Sequence, residues 1–215
     1  MKIAIIGTGN VGTALGSSFM KAGHDVTYAA RDFEKAQQVA AQVGAQVAAT
    51  PSEAAAGADV VVLAVPYAAA AAVAREISGQ TAGKVLVDVT NPIKADYSGL
   101  STEGGPSGAE HIAEAAGEAN VVKAFNTILA SVQANPGLNG QQTDALIAAD
   151  DDAAKATVAE LVTSIGMRPI DAGMLAGAHA LEALAWLNIA LQLRTGGNWS
   201  SSFVLLGAPD KAIAA

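Results

Sequence analysis

The chain has no cysteine, so it forms no disulfide and offers no thiolate to a metal, an iron–sulfur cluster or a substrate. Its three histidines, His24, His111 and His179, lie far apart and form no His-x-x-x-His pair, which argues against a zinc enzyme. Bases are scarce as well. Twelve Lys and Arg against 20 Asp and Glu leave a net charge of −8, a poor match for nucleic acid, so any phosphate must be held by local groups. Long apolar runs are also missing. The longest uncharged one, Val60 to Ala74, is broken by Pro66 and falls short of the roughly 20 residues a spanning helix needs. The opening run Met1-Lys2-Ile3-Ala4-Ile5-Ile6 reads as a strand rather than a secretory signal, so the expected location is cytoplasmic, with no membrane and no metal.

What the chain has instead is alanine, about 50 of its 215 residues. Small side chains bury little area each, so the core must bring backbones close together. The length allows one large domain, or one domain with a small appendage.

Short β-branched runs alternate with longer Ala-rich segments, the pattern of βαβ units and a parallel sheet. Strands are expected at Lys2–Ile6, Asp25–Ala30, Val60–Val65, Lys84–Val89, Asn120–Phe125 and Asp144–Ala149, with weaker ones near Ala45–Ala49 and Met167–Asp171. Helices are expected at Asn10–Ala22, ended by Gly23, and at Phe33–Val43, Pro51–Ala56, Tyr67–Ser78, Ser107–Ala116, Asp152–Ile165 and Met174–Arg194. The stretch from Asn91 to Ser107 is too long for an ordinary connection and reads as a lid, a binding loop or a disordered segment. The last helix carries Leu175, Leu181, Leu184, Trp186, Leu187, Ile189, Leu191 and Leu193 on most of its faces. Such a helix should be buried all round, either by a partner subunit or within its own chain.

Gly7-Thr8-Gly9-Asn10-Val11-Gly12 is G-x-G-x-x-G placed directly after the first strand and opening the first helix. Gly7 permits the tight turn, Gly9 lets a pyrophosphate approach the backbone, and Gly12 lets helix and strand pack closely; the helix N-terminus offers N–H groups to phosphate oxygens. The fold class is therefore α/β, a Rossmann-type doubly wound, mostly parallel sheet. The second strand ends Ala30-Arg31 without the carboxylate that would accept a ribose 2′-hydroxyl. Arg31 and Lys35 can instead pair with a 2′-phosphate, which reads as NADP(H). Asp32 could take the ribose if the register slips, but it also suits the N-cap of the next helix.

Ligands of such sheets sit at the carboxyl ends of the strands. The nicotinamide site should accordingly be lined by Val65-Pro66-Tyr67, Asn91-Pro92-Ile93 with the preceding Thr90, and Phe125-Asn126-Thr127. None of these is a strong acid or base, which hydride transfer tolerates because it needs positioning in a dry slot. No catalytic residue is assigned; His179, three residues before Glu182 on the last helix, is the only histidine read as able to reach a cleft. Asp150-Asp151-Asp152 precede a helix, where acids cap and offset the dipole, although a divalent-metal site is the other reading.

The segments GTGNVGTALG, AARD, VPY, GKVLVDVTNPI, VVKAFNTI and GMRPIDAGMLAGAHALEALAWLNIAL together resemble the F420-dependent NADP oxidoreductase family, which is related to the cytosolic domain of the STEAP metalloreductases. The resemblance runs from Lys2 to about Leu193. It implies a Rossmann domain over residues 1–172 and a small C-terminal helical part over 173–215 that contributes to the substrate cleft and to a homodimer. It also implies exchange of hydride between NADP(H) and F420, a flavin or a similar small acceptor. Carried over by position, Thr8, Gly9, Asn10 and Val11 would hold the pyrophosphate, and Ala30, Arg31 and Lys35 the 2′-phosphate. Val65, Pro66, Asn91, Pro92, Asn126, Thr127 and Ile128 would surround nicotinamide and acceptor. The archaeal members carry His where this chain has Asn126 and Ser where it has Ala30. A non-catalytic NADP(H)-binding redox sensor is the alternative from another class.

Overall fold

A computed structural model of the chain describes residues 1–207. The C-terminal eight residues of the expected helical part, 208–215, lie outside the described residues. Strand β1 (Lys2–Ile6) leads through the glycine-rich turn into α1 (Asn10–Lys21). The chain continues through β2 (Asp25–Ala29), α2 (Phe33–Val43), β3 (Gln46–Val47), α3 (Pro51–Ala56), β4 (Val60–Leu63) and α4 (Tyr67–Thr81). Then come β5 (Val85–Asp88), α5 (Gly108–Ala116), β6 (Asn120–Lys123), α6 (Ala130–Ala134), β7 (Asp144–Ala149), α7 (Asp152–Ser164) and β8 (Arg168–Asp171). A single 3-10 turn, Leu175–Gly177, precedes α8 (Ala178–Thr195).

The strands form one eight-stranded sheet in the order β3-β2-β1-β4-β5-β6-β7-β8. The first six strands in that order run parallel; β7 joins β6 antiparallel through Val122↔Ala149 and Lys123↔Ala148, and β8 runs parallel to β7. The strand order reverses between β1 and β4, the crevice where open α/β sheets bind ligands. Both faces are covered. Along β1, Ile3 and Ile5 enter the core shared with Leu15, Phe19 and Tyr28, while Ala4 and Ile6 enter the opposite core with Ala70, Ala74 and Ile77. That two-residue alternation is the strand's own geometry, and burial on both faces explains why the strands read as continuous apolar runs.

Several expected boundaries shorten at the functional edge. Strands β4, β5 and β6 end at Leu63, Asp88 and Lys123, so Ala64, Val89 and Ala124 belong to the loops that build the site. Helix α6 was not expected. The loop over 91–107 is organised by its own backbone, with an Ile93↔Leu100 bridge, a Ser101 N–H bond to Pro92 O and an exposed Lys94–Glu103 pair at 3.4 Å.

The last helix departs from the expectation of burial on all faces. Within the chain α8 buries Ala178, Leu181, Glu182, Ala185 and Asn188, whereas Leu187, Leu191 and Leu193 are 48%, 45% and 48% exposed. Beyond Gly196 the chain folds back as a strap. Gln192 accepts from Trp199 N–H, Ser201 Oγ contacts Asn188 and Gln192, and Asp144 accepts from Leu205 N–H at 2.6 Å while forked to Arg168 at 2.7 and 2.9 Å. No helix among the described residues is long and apolar enough to cross a membrane.

Candidate functional site

The three motif glycines do different work. A Cβ on Gly7, whose φ is +117°, would stand 2.2 Å from Ala64 O, and one on Gly12 would stand 2.3 Å from Gly7 O. Both are fixed by close packing of strand, turn and helix. A Cβ on Gly9 would meet nothing within 4 Å. The open position is thus the one where a pyrophosphate would need space against the backbone. Thr8, Gly9, Asn10 and Val11 line a groove of about 830 Å³ that runs along α1 between α2 and α6 and is also lined by Asn198 and Trp199 of the strap.

At the end of β2, Asp32 accepts from Lys35 N–H at 3.0 Å and is the N-cap of α2. Its carboxylate is therefore engaged with the backbone. Lys35 lines the groove, and Arg31 is exposed beside the half-buried Ala30.

Residues after β5 and β6 converge across the sheet edge. Asn91 Nδ2 donates to Asn126 O at 3.0 Å, and Asn126 Nδ2 returns a bond to Asn91 Oδ1 at 3.0 Å and a second to Leu181 O at 3.1 Å. Val11, Asn91, Phe125, Asn126, Thr127 and Ile128 meet Gln133 and Ile189 around a separate cavity of about 100 Å³. The turn that places them is tight: Phe125 has φ +62°, with its ring wholly buried edge-on to Phe19. Phe125 thus contributes backbone, not an aromatic face, to the site. Gln133 holds the turn by donating to Phe125 O at 3.0 Å and Ile128 O at 2.8 Å.

The other expected residues line neither space. Val65 packs near Gly7, Pro92 lies near Gly108, and Ile93 pairs with Leu100 in the loop. Tyr67 Oη lies 2.9 Å from His111 Nδ1, and burial, with the nearby charges of Glu182 and Asp88, holds its phenol above the usual range.

A buried ionic cluster underlies this edge. Lys123 Nζ donates to Asp88 Oδ2 at 2.8 Å, Thr90 O at 2.6 Å and Glu182 Oε1 at 3.0 Å, and Lys123, Asp88 and Glu182 side chains are 0% exposed. Glu182 also accepts from the N–H groups of Gly108 and Ala109 at the start of α5. This carboxylate is therefore not a partner of His179, which is 48% exposed and lies 3.4 Å from Glu110. Sequence reasoning missed the cluster. A signal was present, because adjacent strands end in Asp88 and Lys123, and these two residues are paired in register.

The remaining acids and His24 have structural partners. Asp151 caps α7, and Asp150 accepts from Leu175 N–H at 2.9 Å. His24, read as a loop residue, bridges to Ser164 Oγ at 2.8 Å; burial first, and the N-terminal amine second, lower its pKa.

Residues 2–92 match the family model described as NADP oxidoreductase, coenzyme F420-dependent. The chain is 38% identical over 213 residues to the F420-dependent NADP reductase of Methanothermobacter thermautotrophicus, covering 90% of each protein. It is 32% identical over 194 residues to the metalloreductase STEAP3 of Rattus norvegicus, covering 85% of this chain and 36% of that one. Among solved structures, a candidate F420-dependent NADP reductase from Arthrobacter sp. FB24 superposes with a TM-score of 0.86 at 32% identity, covering 95% of this chain and 99% of that one.

Proposed function

The chain belongs to the F420-dependent NADP oxidoreductase family, and on that premise we propose that it moves hydride between NADP(H) and a deazaflavin, a flavin or a similar small acceptor. The observation that carries the reading is the contrast between the closed Gly7 and Gly12 and the open Gly9 at the mouth of the groove. NADP(H), when bound, supplies or receives the hydride.

In this reading Thr8, Gly9, Asn10 and Val11 hold the pyrophosphate on a turn shaped by Gly7 and Gly12. Ala30, Arg31 and Lys35 frame the 2′-phosphate, while Asp32 is engaged by its cap. Asn91, Phe125, Asn126, Thr127 and Ile128 surround the nicotinamide, while Val65, Pro66, Tyr67, Pro92 and Ile93, which line neither space, follow β4 and β5 on the same edge toward the acceptor. Lys123, Asp88 and Glu182, which underlie this edge, are paired with one another. The chain's contribution is therefore orientation and exclusion of water rather than proton transfer.

Residues 1–172 act as the nucleotide-binding unit, and the described residues of the C-terminal part, 173–207, act as the helical part. Exposed Leu187 and Leu191, one turn apart on α8, support a homodimer through α8, because an exposed apolar pair on one helix face is best covered by a second copy. A cytoplasmic setting belongs to the same proposal. Mixing the protein with NADPH and F420, FMN, FAD or riboflavin and following absorbance at 340 nm tests it. Oxidation of NADPH with at least one acceptor is expected; tight binding without turnover would favour the redox sensor instead.

A further inference from the structure

Two residues that line the 100 Å³ cavity at the Phe125–Ala130 turn carry unanswered acceptors. Asn126 is 6% exposed and Gln133 is 0% exposed, both line the cavity, and Asn126 Oδ1 and Gln133 Oε1 are buried without a hydrogen-bond partner. Their orientation is not arbitrary. Both hydrogens of the Asn126 amide go to Asn91 Oδ1 and Leu181 O, and both of the Gln133 amide go to Phe125 O and Ile128 O. Flipping either amide would set its oxygen against two other oxygens, so each residue is left with acceptor capacity alone.

Unsatisfied buried acceptors are costly, and two around one cavity call for a ligand that brings N–H donors. An ammonium fits poorly, because no carboxylate lines this cavity to offset a buried charge. A neutral primary amide fits well, with two hydrogens on one nitrogen. The cavity also shares Val11, Leu129, Ala130 and Ile189 with the large groove that begins at the glycine turn, so the two spaces adjoin. We infer that the cavity takes a primary carboxamide, that of the nicotinamide ring, whose NH₂ donates to Asn126 Oδ1 and Gln133 Oε1. This rests on the dinucleotide reading above and adds Gln133, which no motif singled out, as a residue that selects the amide.

The test compares binding of NADP⁺, its 3-acetylpyridine analogue, in which methyl replaces the amide NH₂, and 2′,5′-ADP, which lacks the nicotinamide half, by isothermal calorimetry. The wild-type chain is expected to prefer NADP⁺ over the analogue by about tenfold or more. In Asn126→Leu the preference is expected to shrink to about twofold with affinity for 2′,5′-ADP retained. Gln133→Met, which keeps the side-chain volume, should behave in the same way. Equal wild-type affinity for NADP⁺ and the analogue overturns the inference, leaving the two oxygens to water. A variant that still binds 2′,5′-ADP and keeps the full preference overturns it too. Failure of 2′,5′-ADP to bind the wild-type chain removes the dinucleotide reading itself, and this inference with it.

Discussion

The ammonium of Lys123 lies 3.0 Å from the carboxylate of Glu182, with neither side chain exposed at all. Lys123 ends β6 and Glu182 lies on α8, so one ion pair fastens the sheet to the last helix. The same two residues hold both ends of the 91–107 loop: Lys123 through Thr90 O, and Glu182 through the N–H groups of Gly108 and Ala109. Asp88 completes the cluster and bonds Thr90 N–H at 2.8 Å.

Removing the cation alone should be severe. Lys123→Met leaves two buried carboxylates facing each other and is expected to cost about 3–5 kcal/mol in urea unfolding. The triple change Lys123→Met/Asp88→Asn/Glu182→Gln should recover part of that loss, since no uncompensated charge remains. A single Lys123→Met within 1 kcal/mol of wild type, the scale of an exposed pair, would contradict this reading.

The motif glycines should separate stability from binding. Gly7→Ala forces a Cβ to within 2.2 Å of Ala64 O at φ +117° and is expected to cost more than about 3 kcal/mol in thermal or urea unfolding. Gly9→Ala places its methyl in open space and is expected to cost under about 1 kcal/mol, the difference between Gly and Ala at an N-cap. Its effect should fall on NADP⁺ affinity, read by calorimetry.

Arg31→Asp should reverse the cofactor preference. Loss of a charge-assisted bond and gain of a repelling carboxylate are expected to lower NADP⁺ affinity by about tenfold or more while NAD⁺ affinity rises. Unchanged NADP⁺ affinity would remove Arg31 from the 2′-phosphate site.

Acid should weaken the fold in two steps. The His24 pKa is lowered in the folded chain, so the unfolded chain binds its proton first, and stability present near neutral pH declines as pH falls below about 6.5. Glu110, lowered chiefly by Ser107 N–H and Oγ in the capping box of α5, gives stability above its unfolded pKa that is lost at still lower pH. Urea midpoints of wild type and His24→Gln between pH 7 and 5 should converge as pH falls.

How much of this was legible follows from range. The glycine turn, β1, α2 and the Asp32 cap are local, and each reads directly from spacing and residue chemistry. The direction of β7 and β8 is not, because nothing in an apolar run says which way it pairs. Helix α6 stayed hidden because Gln133 and the turn carbonyls hold it, not its propensity. The strap ending at Leu205 depends on Asp144, 61 residues away. His179 and Glu182 share helical spacing, yet a buried cation 59 residues from Glu182 decides which of them faces the interior.

The most direct measurement of the central claim is kcat/KM with NADPH and with NADH, run in parallel against F420, FMN, FAD and riboflavin. The account expects turnover with at least one acceptor and a preference for NADPH of about tenfold or more, the scale of one charge-assisted bond. No oxidation of either nucleotide with any acceptor, or an equal rate with NADH, would contradict it.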